Sequence, residues 1–406
     1  MDRLGSKPLH EYLRDHAQKH PDRAAIIWYG RTITYAELDE WSGRVAGVLK
    51  DWGVHSGDRV ALYMGNCPQY LMTFLGTQKL GAVVSPVSPS FKSWELEYQL
   101  QDSGAKVLVA DRRLIAQWLP VRRTFPDMRV LVSDYRDFVP EHTPFTAFGE
   151  APELPPLCEA GEWSQVVPSA APAPTLFHVP VDHVSLMMYT SGSTGMPKGA
   201  MLTYENAWYK AAAGSEANGI GSEDILLTVM PLSHIAGLLM GLGVPIYLGA
   251  TQVLLHQFNP EAVIQAVGTY QCSFWYSVAP MNRAVLDCLD SGDVRMRSLR
   301  HNLCTSFGIP LTEALGREWT QKTGCVIHEA AYGLTETHTA DTYMPAGDVR
   351  WGTVGKPVGD TVLRIVDPDT GHDARPGEAG EIWVKNRGAF KGYWNQPEAT
   401  QRALMC

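Results

Sequence analysis

The sequence predicts an α/β protein of parallel βαβ units with helices on both faces, followed by a small β lobe. Three observations support this. Strand-like and helix-like segments alternate through the first part of the chain and again after a Pro-rich stretch at about residues 139–181. After about residue 349 the sequence changes to short strands with Gly and Pro turns. The 406 residues are 45% hydrophobic, enough for two or three domains with a sizeable core.

The first predicted element is a hairpin formed by residues 24–29 and 31–35 and turned at Gly30. The helix that follows, over residues 35–53, has apolar side chains at helical spacing and ends at Gly53. Further strands are predicted at 58–64, 82–87 and 106–110, and further helices at 70–81 and 93–104, the last with Ser93 as N-cap. These elements alternate as parallel sheets require.

The Pro-rich stretch predicts a long connector without regular elements, because proline removes backbone donors and fixes φ. A buried strand follows at 184–190, and a helix at 203–213 with Thr203 as N-cap. Residues 235–255 carry no charge and are long enough to span a bilayer. Four Gly or Pro residues interrupt them, which favours a buried helix, a break and a buried strand.

Charge and cysteine content exclude several classes of protein. A net charge of −9 argues against nucleic-acid and anionic-membrane partners. The seven cysteines include no CxxC pair, so a disulfide framework is not expected and a reducing, cytoplasmic location is favoured. No cluster of Cys and His has metal-ligand spacing, and the charged N-terminus does not resemble a signal peptide.

The segment YTSGSTGMPKGAML, residues 189–202, predicts a phosphate-binding loop between a strand and a helix. Glycines let backbone N–H groups approach phosphate oxygens, hydroxyl side chains add donors, and Lys198 adds a positive charge. A flexible surface linker is the alternative, but a linker is not usually bracketed by a buried strand. The loop is not a Walker A motif, because Pro197 precedes the lysine and Gly199 follows it.

This segment resembles the phosphate loop of the acyl-adenylate-forming superfamily, which includes acyl- and aryl-CoA ligases. Other segments resemble that family in its order: ITYAELDEWSGRVAGVL, PLSHIAG, AAYGLTET and GEIWVKNRGAFKGYWNQPEAT. The resemblance covers essentially the whole chain. It implies the family's large N-terminal domain, with two mainly parallel sheets flanked by helices and a small distorted β-barrel lobe. The domains expected are an α/β subdomain at 1–180, a second at 181–348 and the small β lobe at 349–406.

The resemblance also implies the chemistry: ATP converts a carboxylic acid to an acyl-AMP, and a thiol then displaces AMP. ATP, Mg²⁺ and CoA are the cofactors implied. Phosphate binding is assigned to Thr190, Ser191, Gly192, Ser193, Thr194, Gly195 and Lys198. Adenine packing is assigned to Gly308, Ile309, Pro310, Tyr332 and Gly333, with Phe307 standing where the family has another glycine. Thr335 would bind the α-phosphate, and Glu336 would hold Mg²⁺ through an oxygen ligand.

The acid is expected to be fatty or aryl. His234 matches an aromatic or histidine gate beside the acyl pocket, although a lone histidine in an apolar run is more often a core residue. Amino-acid-activating relatives carry an aspartate in this segment, and residues 231–241 contain no carboxylate to pair with an ammonium group. The candidate pocket residues are His234, Met240, Trp275, Val278, Met281 and Ala331.

Two alternatives stay open: an acyl-AMP ligase that loads a carrier protein, and a non-catalytic relative that only binds an acyl ligand. A dinucleotide-binding domain is not supported, since no G-x-G-x-x-G follows an early strand. By resemblance, the ribose-binding Thr-Gly-Asp segment and the C-terminal lid domain would follow Cys406. We therefore expect an N-terminal portion with little full ligase activity by itself.

Overall fold

The computed structural model describes residues 6–144, 160–173, 179–190, 195–290, 293–330 and 332–404. Its strands are β1 (Ala24–Trp28), β2 (Arg31–Thr34), β3 (Arg59–Tyr63), β4 (Val83–Val87), β5 (Val107–Asp111), β6 (Arg129–Ser133), β7 (Ala160–Glu162), β8 (Val184–Thr190), β9 (Lys198–Thr203), β10 (Ile225–Thr228), β11 (Thr251–Leu254), β12 (Phe274–Val278), β13 (His301–Thr305), β14 (Val326–Glu329), β15 (Thr342–Tyr343), β16 (Lys356–Pro357), β17 (Val362–Val366) and β18 (Glu381–Lys385).

The α-helices lie between these strands. They are α1 (Leu9–Lys19), α2 (Tyr35–Asp51), α3 (Pro68–Lys79), α4 (Ser93–Ser103), α5 (Trp163–Ser169), α6 (Tyr204–Ala217), α7 (Ile235–Leu238), α8 (Val244–Leu248), α9 (Pro260–Tyr270), α10 (Ala279–Cys288), α11 (Glu313–Thr323) and α12 (Pro397–Ala403). Several start at side-chain caps. Thr34 forms a capping box with Glu37 at α2, and the hydroxyl of Thr203 accepts a hydrogen bond from the Asn206 N–H, which confirms that predicted cap.

Two seven-stranded sheets form the body of the protein. The first sheet has the order β7-β6-β5-β3-β4-β8-β9, and the second has the order β14-β13-β12-β10-β11-β1-β2. All strand pairs within them are parallel except β1–β2 and β8–β9. The prediction of two mainly parallel sheets with helices is therefore confirmed.

The sheets interleave along the chain. The N-terminal hairpin β1–β2 is at the edge of the second sheet, where β1 pairs with β11. Strands β8 and β9 belong to the first sheet, although they come after the Pro-rich stretch. Sheet membership therefore does not follow the division at residues 180 and 348, and those domain boundaries stay a prediction.

Helix α3 is buried along nearly its whole length, from Pro68 to Gln78. Its sequence has no charge before Lys79, as expected for a helix covered on all sides.

The uncharged stretch at 235–255 is likewise buried. Here α7 continues through a π-helical turn, Leu239–Gly243, into α8, and β11 follows. The predicted helix, break and strand are confirmed, with the break at left-handed Gly249, and no helix of the described residues is long and apolar enough to cross a membrane.

Three local predictions were wrong. The Pro-rich stretch contains β7 and α5, with Pro168 in the last turn of this short helix, where it interrupts few backbone bonds. Ser93 is the first residue of α4, and the N-cap is Lys92, whose N–H donates to the Glu95 carboxylate. In the described residues, the small lobe contains the antiparallel pair β17–β18 and strand β16, which pairs with β15 just before the lobe, rather than a closed barrel.

Candidate active site

A cavity of about 1180 Å³ lies where the carboxyl ends of parallel strands from both sheets meet. Residues that end or follow a strand line it: Asn66, Ser88, Asp111, Arg113 and Thr190 from the first sheet, and Met230, His256, Val278 and Thr305 from the second. Ligands in open α/β sheets characteristically bind outside the carboxyl ends of strands. The topology therefore positions this cavity as the candidate active site.

Five of the residues predicted for the site line this cavity: Thr190, His234, Val278, Met281 and Thr335. The phosphate-loop residues Ser191, Gly192, Ser193 and Thr194, and the pocket candidate Ala331, lie outside the described residues. Gly195, at the far side of that loop, is exposed.

Lys198 is the first residue of β9 and pairs in register with Thr190, the last residue of β8. The two ends of the intervening loop are therefore neighbours in the sheet. Pro197, just before Lys198, is held by the Tyr98 hydroxyl of α4, which donates to the Pro197 carbonyl over 2.8 Å. The helix predicted after the segment 189–202 is present as α6, but residues 198–203 form strand β9, which the sequence did not predict. Because β9 intervenes, the N-terminus of α6 is one strand away and its dipole does not face the loop.

The turn that carries Thr335 and Glu336 is followed by three consecutive non-glycine residues with left-handed backbone, His338, Thr339 and Ala340, with φ between 53° and 57°. Such residues are each unfavourable by about 1 kcal/mol or more. A Cβ at Gly333 would lie 2.4 Å from the Ala340 nitrogen, so only glycine fits there. The predicted adenine residues Tyr332 and Gly333 belong to this loop but are not among those lining the cavity.

A buried ion pair supports the turn. The Lys210 ammonium of α6 lies 2.6 Å from the Asp341 carboxylate, and both side chains have no exposed area. The same carboxylate accepts hydrogen bonds from Thr337 over 2.5 Å and from Asn386 over 2.7 Å. Burial lowers the pKa of Lys210, and the neighbouring Asp341 acts in the opposite direction. This network joins α6, the turn and the small lobe.

His234 is the N-cap of α7, where its Nδ1 accepts a hydrogen bond from the Ala236 N–H over 3.3 Å. In the neutral ring the proton therefore lies on Nε2. The ring faces the cavity, and its partial removal from bulk water lowers its pKa. A neutral histidine with a free Nε2–H can donate to a carboxylate. The proposed role as a gate remains a prediction.

The apolar wall of the cavity is contributed by alternate residues of β12. Tyr276 and Val278 point into the cavity, and Met281 follows from α10. Trp275 does not line it: side chains alternate along a strand, and Trp275 packs on the opposite face against Trp319, with ring centroids 5.8 Å apart. Met240 lines a separate small cavity of about 10 Å³ behind Tyr276.

Gly308, Ile309 and Pro310 form an exposed segment after β13. Phe307, the residue that departs from the family pattern, is 72% exposed and lines the cavity mouth. An exposed aromatic ring at the mouth of a cavity provides a surface for stacking.

A cluster of polar side chains in the cavity was not predicted from the sequence: Asp111, Arg113 and His256. His256 donates from Nδ1 to the Asn66 carbonyl over 2.8 Å, and its Nε2 lies 3.1 Å from a guanidinium nitrogen of Arg113. Burial lowers the pKa of His256 to about 4 and raises that of Asp111 to about 6. Each of the three lies just after or at the end of a predicted buried strand, which was the available signal.

Within the described residues there is no group of three or more His, Cys, Asp or Glu side chains arranged to hold a metal ion. The cysteines at 67, 272, 288, 304 and 325 are free thiols. Metal binding through protein ligands alone is therefore not supported among these residues, and a single carboxylate such as Glu336 would need oxygen atoms from a ligand.

Comparison with known proteins identifies the family. A family model described as AMP-binding enzyme matches residues 13–394. A feruloyl-CoA synthase from an Amycolatopsis species is 32% identical over 99% of this chain and 73% of its own length. A long-chain-fatty-acid–CoA ligase from Bacillus subtilis is 27% identical over 99% of this chain and 73% of its own length.

Solved structures agree. ATP-bound MatB from Rhodopseudomonas palustris has a TM-score of 0.83 at 26% identity, over 98% of this chain and 74% of that protein. The family match covers nearly the whole described fold, including both sheets, the Thr190–Lys198 hairpin and the Thr335–Glu336 turn. The chain therefore belongs to the AMP-binding enzyme family.

Proposed function

We propose that this chain activates a carboxylic acid with ATP to an acyl-AMP and then transfers the acyl group to CoA. The observation that carries the proposal is one continuous cavity. It joins Thr190 and Thr335, at the predicted phosphate site, to an apolar wall formed by Tyr276, Val278 and Met281. An acid with an apolar tail bound there has its carboxylate directed towards the nucleotide. The names of the related CoA ligases support the same reaction.

The chain's own residues act by position and charge. Lys198 neutralises phosphate charge, and Thr335 donates to the α-phosphate. His234 donates from Nε2 to the carboxylate and holds its attacking oxygen near the phosphorus. Such preorganised donors contribute most where charge develops in a water-poor site.

Mg²⁺ fits this arrangement. The Glu336 carboxylate is half-buried, and among the described residues no cation pairs with it. Mg²⁺ is commonly held by one or two carboxylates together with substrate phosphates and water, and it offsets phosphate charge when bound. Glu336 would supply the protein ligand.

A fatty or aryl acid is the proposed substrate class, and an amino acid is not. Two carboxylates line the cavity, Glu95 and Asp111, but each already accepts a backbone N–H, from Lys92 and Arg113 respectively. Burial also raises the pKa of Asp111, which weakens it as a partner for an ammonium group.

The free thiols support a reducing compartment such as the cytoplasm.

The test is exchange of labelled pyrophosphate into ATP with a panel of fatty, aryl and amino acids, together with direct titration of ATP. We expect slow but acid-dependent exchange with fatty or aryl acids, in keeping with the low full ligase activity expected of this chain by itself. Lys198→Ala should lower the exchange rate by about 100-fold, in the range seen when one charge-stabilising donor is removed. Lys391→Ala is the matched control, because Lys391 is exposed and near the same hairpin. Failure to bind ATP, or equal exchange by Lys198→Ala and the parent, would overturn the proposal.

The acceptor is tested separately. We favour CoA because carrier-loading relatives usually carry an insertion in the small-lobe region, whereas here the segment between Glu336 and Trp351 is short and holds only the two-residue strand β15 and turns. Thioester formation is measured with CoA and with a phosphopantetheinyl carrier protein. Preference for the carrier would favour the carrier-loading alternative, and binding of acid without exchange would favour a non-catalytic acyl-binding protein.

A further inference from the structure

Tyr393 lies between the two charged groups assigned to the triphosphate. Its hydroxyl donates to Oε1 of Glu336 over 2.5 Å. The face of its ring lies under the Lys198 ammonium, with the nitrogen 4.8 Å from the centroid. One buried side chain, 9% exposed, thus contacts both an anionic and a cationic group of the site.

The main chain fixes Tyr393 in this position. The Lys391 N–H donates to the Met201 carbonyl and the Trp394 N–H to the Gly199 carbonyl, over 2.9 and 2.8 Å, so residues 391–394 extend along β9. On the other side, the Phe390 N–H donates to the Glu336 carbonyl over 2.7 Å. The segment therefore ties the strand that begins at Lys198 to the turn that carries Glu336.

The contacts leave both charged groups available to a ligand. Among the described residues, Lys198 has no carboxylate within ion-pair distance, so its N–H groups can donate to phosphate oxygens. The hydroxyl of Tyr393 occupies Oε1 of Glu336, and no donor among the described residues contacts Oε2. In this hydrogen bond the Tyr393 hydroxyl is the donor, because an ionised carboxylate oxygen can only accept.

We propose that Tyr393 is a positioning residue that sets the Glu336 carboxylate and the Lys198 ammonium in one geometry for Mg²⁺ and the ATP phosphates. This rests on the proposed function. The hydroxyl holds one oxygen of the Glu336 carboxylate and leaves the other available, so that Oε2 would bind Mg²⁺, and the ring restricts the lysine by a cation–π contact. Neither contact involves the reacting atoms.

Two substitutions separate the two contacts. Tyr393→Phe removes the hydroxyl and keeps the ring. The Mg²⁺ concentration for half-maximal pyrophosphate exchange should therefore rise by about 3- to 10-fold, while the ATP affinity measured without Mg²⁺ should change little. Tyr393→Leu removes both contacts, and the Kd for ATP should rise by about a further 3-fold. Tyr204→Phe is the matched control, because it removes a buried tyrosine hydroxyl that donates to the Gln78 carbonyl elsewhere.

A double-mutant cycle tests the lysine contact. With Lys198→Ala in place, Tyr393→Leu and Tyr393→Phe should have the same ATP affinity, because no ammonium remains above the ring. Thermal unfolding without ligand shows whether Tyr393→Leu folds. An active parent whose Mg²⁺ dependence is unchanged by Tyr393→Phe would overturn this inference alone. A parent that neither binds ATP nor exchanges pyrophosphate would overturn the proposed function instead.

Discussion

His10 on α1 is a buried histidine without a hydrogen-bond partner on either ring nitrogen among the described residues. It contacts the edge of Tyr204, with ring centroids 5.7 Å apart. Burial, with a smaller contribution from Lys79, lowers its pKa from 6.5 to about 3. Between pH 6.5 and pH 3 the unfolded histidine binds a proton that the folded one does not. This contribution to the stability of the folded state is therefore fully present above pH 6.5 and is lost progressively as the pH falls from 6.5 towards 3.

We therefore predict that His10→Phe makes the protein less sensitive to acid. At pH 5 the unfolded histidine binds a proton that the folded one does not, which is equivalent to about 2 kcal/mol. The free energy of unfolding, measured with denaturant at pH 8 and pH 5, should fall by about 2 kcal/mol less in the variant than in the parent. The exposed His55, changed to Phe, serves as control, and equal losses in parent and His10→Phe would contradict the prediction.

Met281 offers a test of the acyl pocket at the same scale. It is half-buried and lines the apolar wall. Met281→Trp adds bulk there and should reduce exchange with long-chain or aryl acids by about 10-fold or more, while short acids are less affected. Met281→Leu keeps the volume and should change little. The measurement is pyrophosphate exchange against acid chain length. An unchanged chain-length profile in Met281→Trp would place the acid elsewhere.

At the scale of elements, the turn at residues 335–341 combines unfavourable backbone with a buried polar network. Lys210 and Asp341 are both fully buried, and Asp341 also accepts from Thr337 and Asn386. Breaking a buried pair on one side leaves an uncompensated charge, which costs more than the intact pair contributes.

Lys210→Met should therefore lower the free energy of unfolding by about 3–5 kcal/mol. The double variant Lys210→Met with Asp341→Asn should recover part of this loss, since no unpaired charge remains and the amide oxygen can still accept from Asn386. Thermal and denaturant unfolding of the parent, both single variants and the double variant form the cycle. Strictly additive losses would show that the two side chains do not interact.

Some elements could be predicted from local pattern alone and others could not. The hairpin at Gly30, helix α2 and the cap at Thr203 follow from periodicity and capping residues, which act within a few positions. Strand β9 was missed because its six residues look like the continuation of a Gly-rich loop, and only pairing with β8 makes them a strand. Helix α5 was missed because prolines were taken to exclude regular structure.

At the scale of the whole molecule, Asn66 connects the two sheets. It follows β3 of the first sheet, and its amide nitrogen donates to the carbonyls of Met230 and Leu255 over 3.0 and 3.2 Å. Its side-chain oxygen accepts from the Leu232 N–H over 2.8 Å. These three partners follow or end strands of the second sheet, so one buried amide holds the two strand ends beside the cavity.

Replacing this amide should weaken the contact between the sheets. Asn66→Ala leaves the Leu232 N–H and two carbonyls without their partner, and we expect a loss of about 2–3 kcal/mol. The melting temperature and the unfolding midpoint should fall, and protease cleavage in native conditions should become faster. A variant with parental stability and protease resistance would indicate that water satisfies these groups equally well.

The sequence alone determined the α/β class, most of the helices and strands, and the family, because these depend on short-range periodicity and on motifs in a fixed order. Only the tertiary structure decided which strands share a sheet, that Trp275 faces away from the cavity, and that Asp111, Arg113 and His256 enter it. It also brought Tyr393 between Lys198 and Glu336. The reason is physical: contacts between residues far apart in sequence arise from how the sheets pair and pack. The local sequence pattern around a residue does not specify which distant residue it will contact.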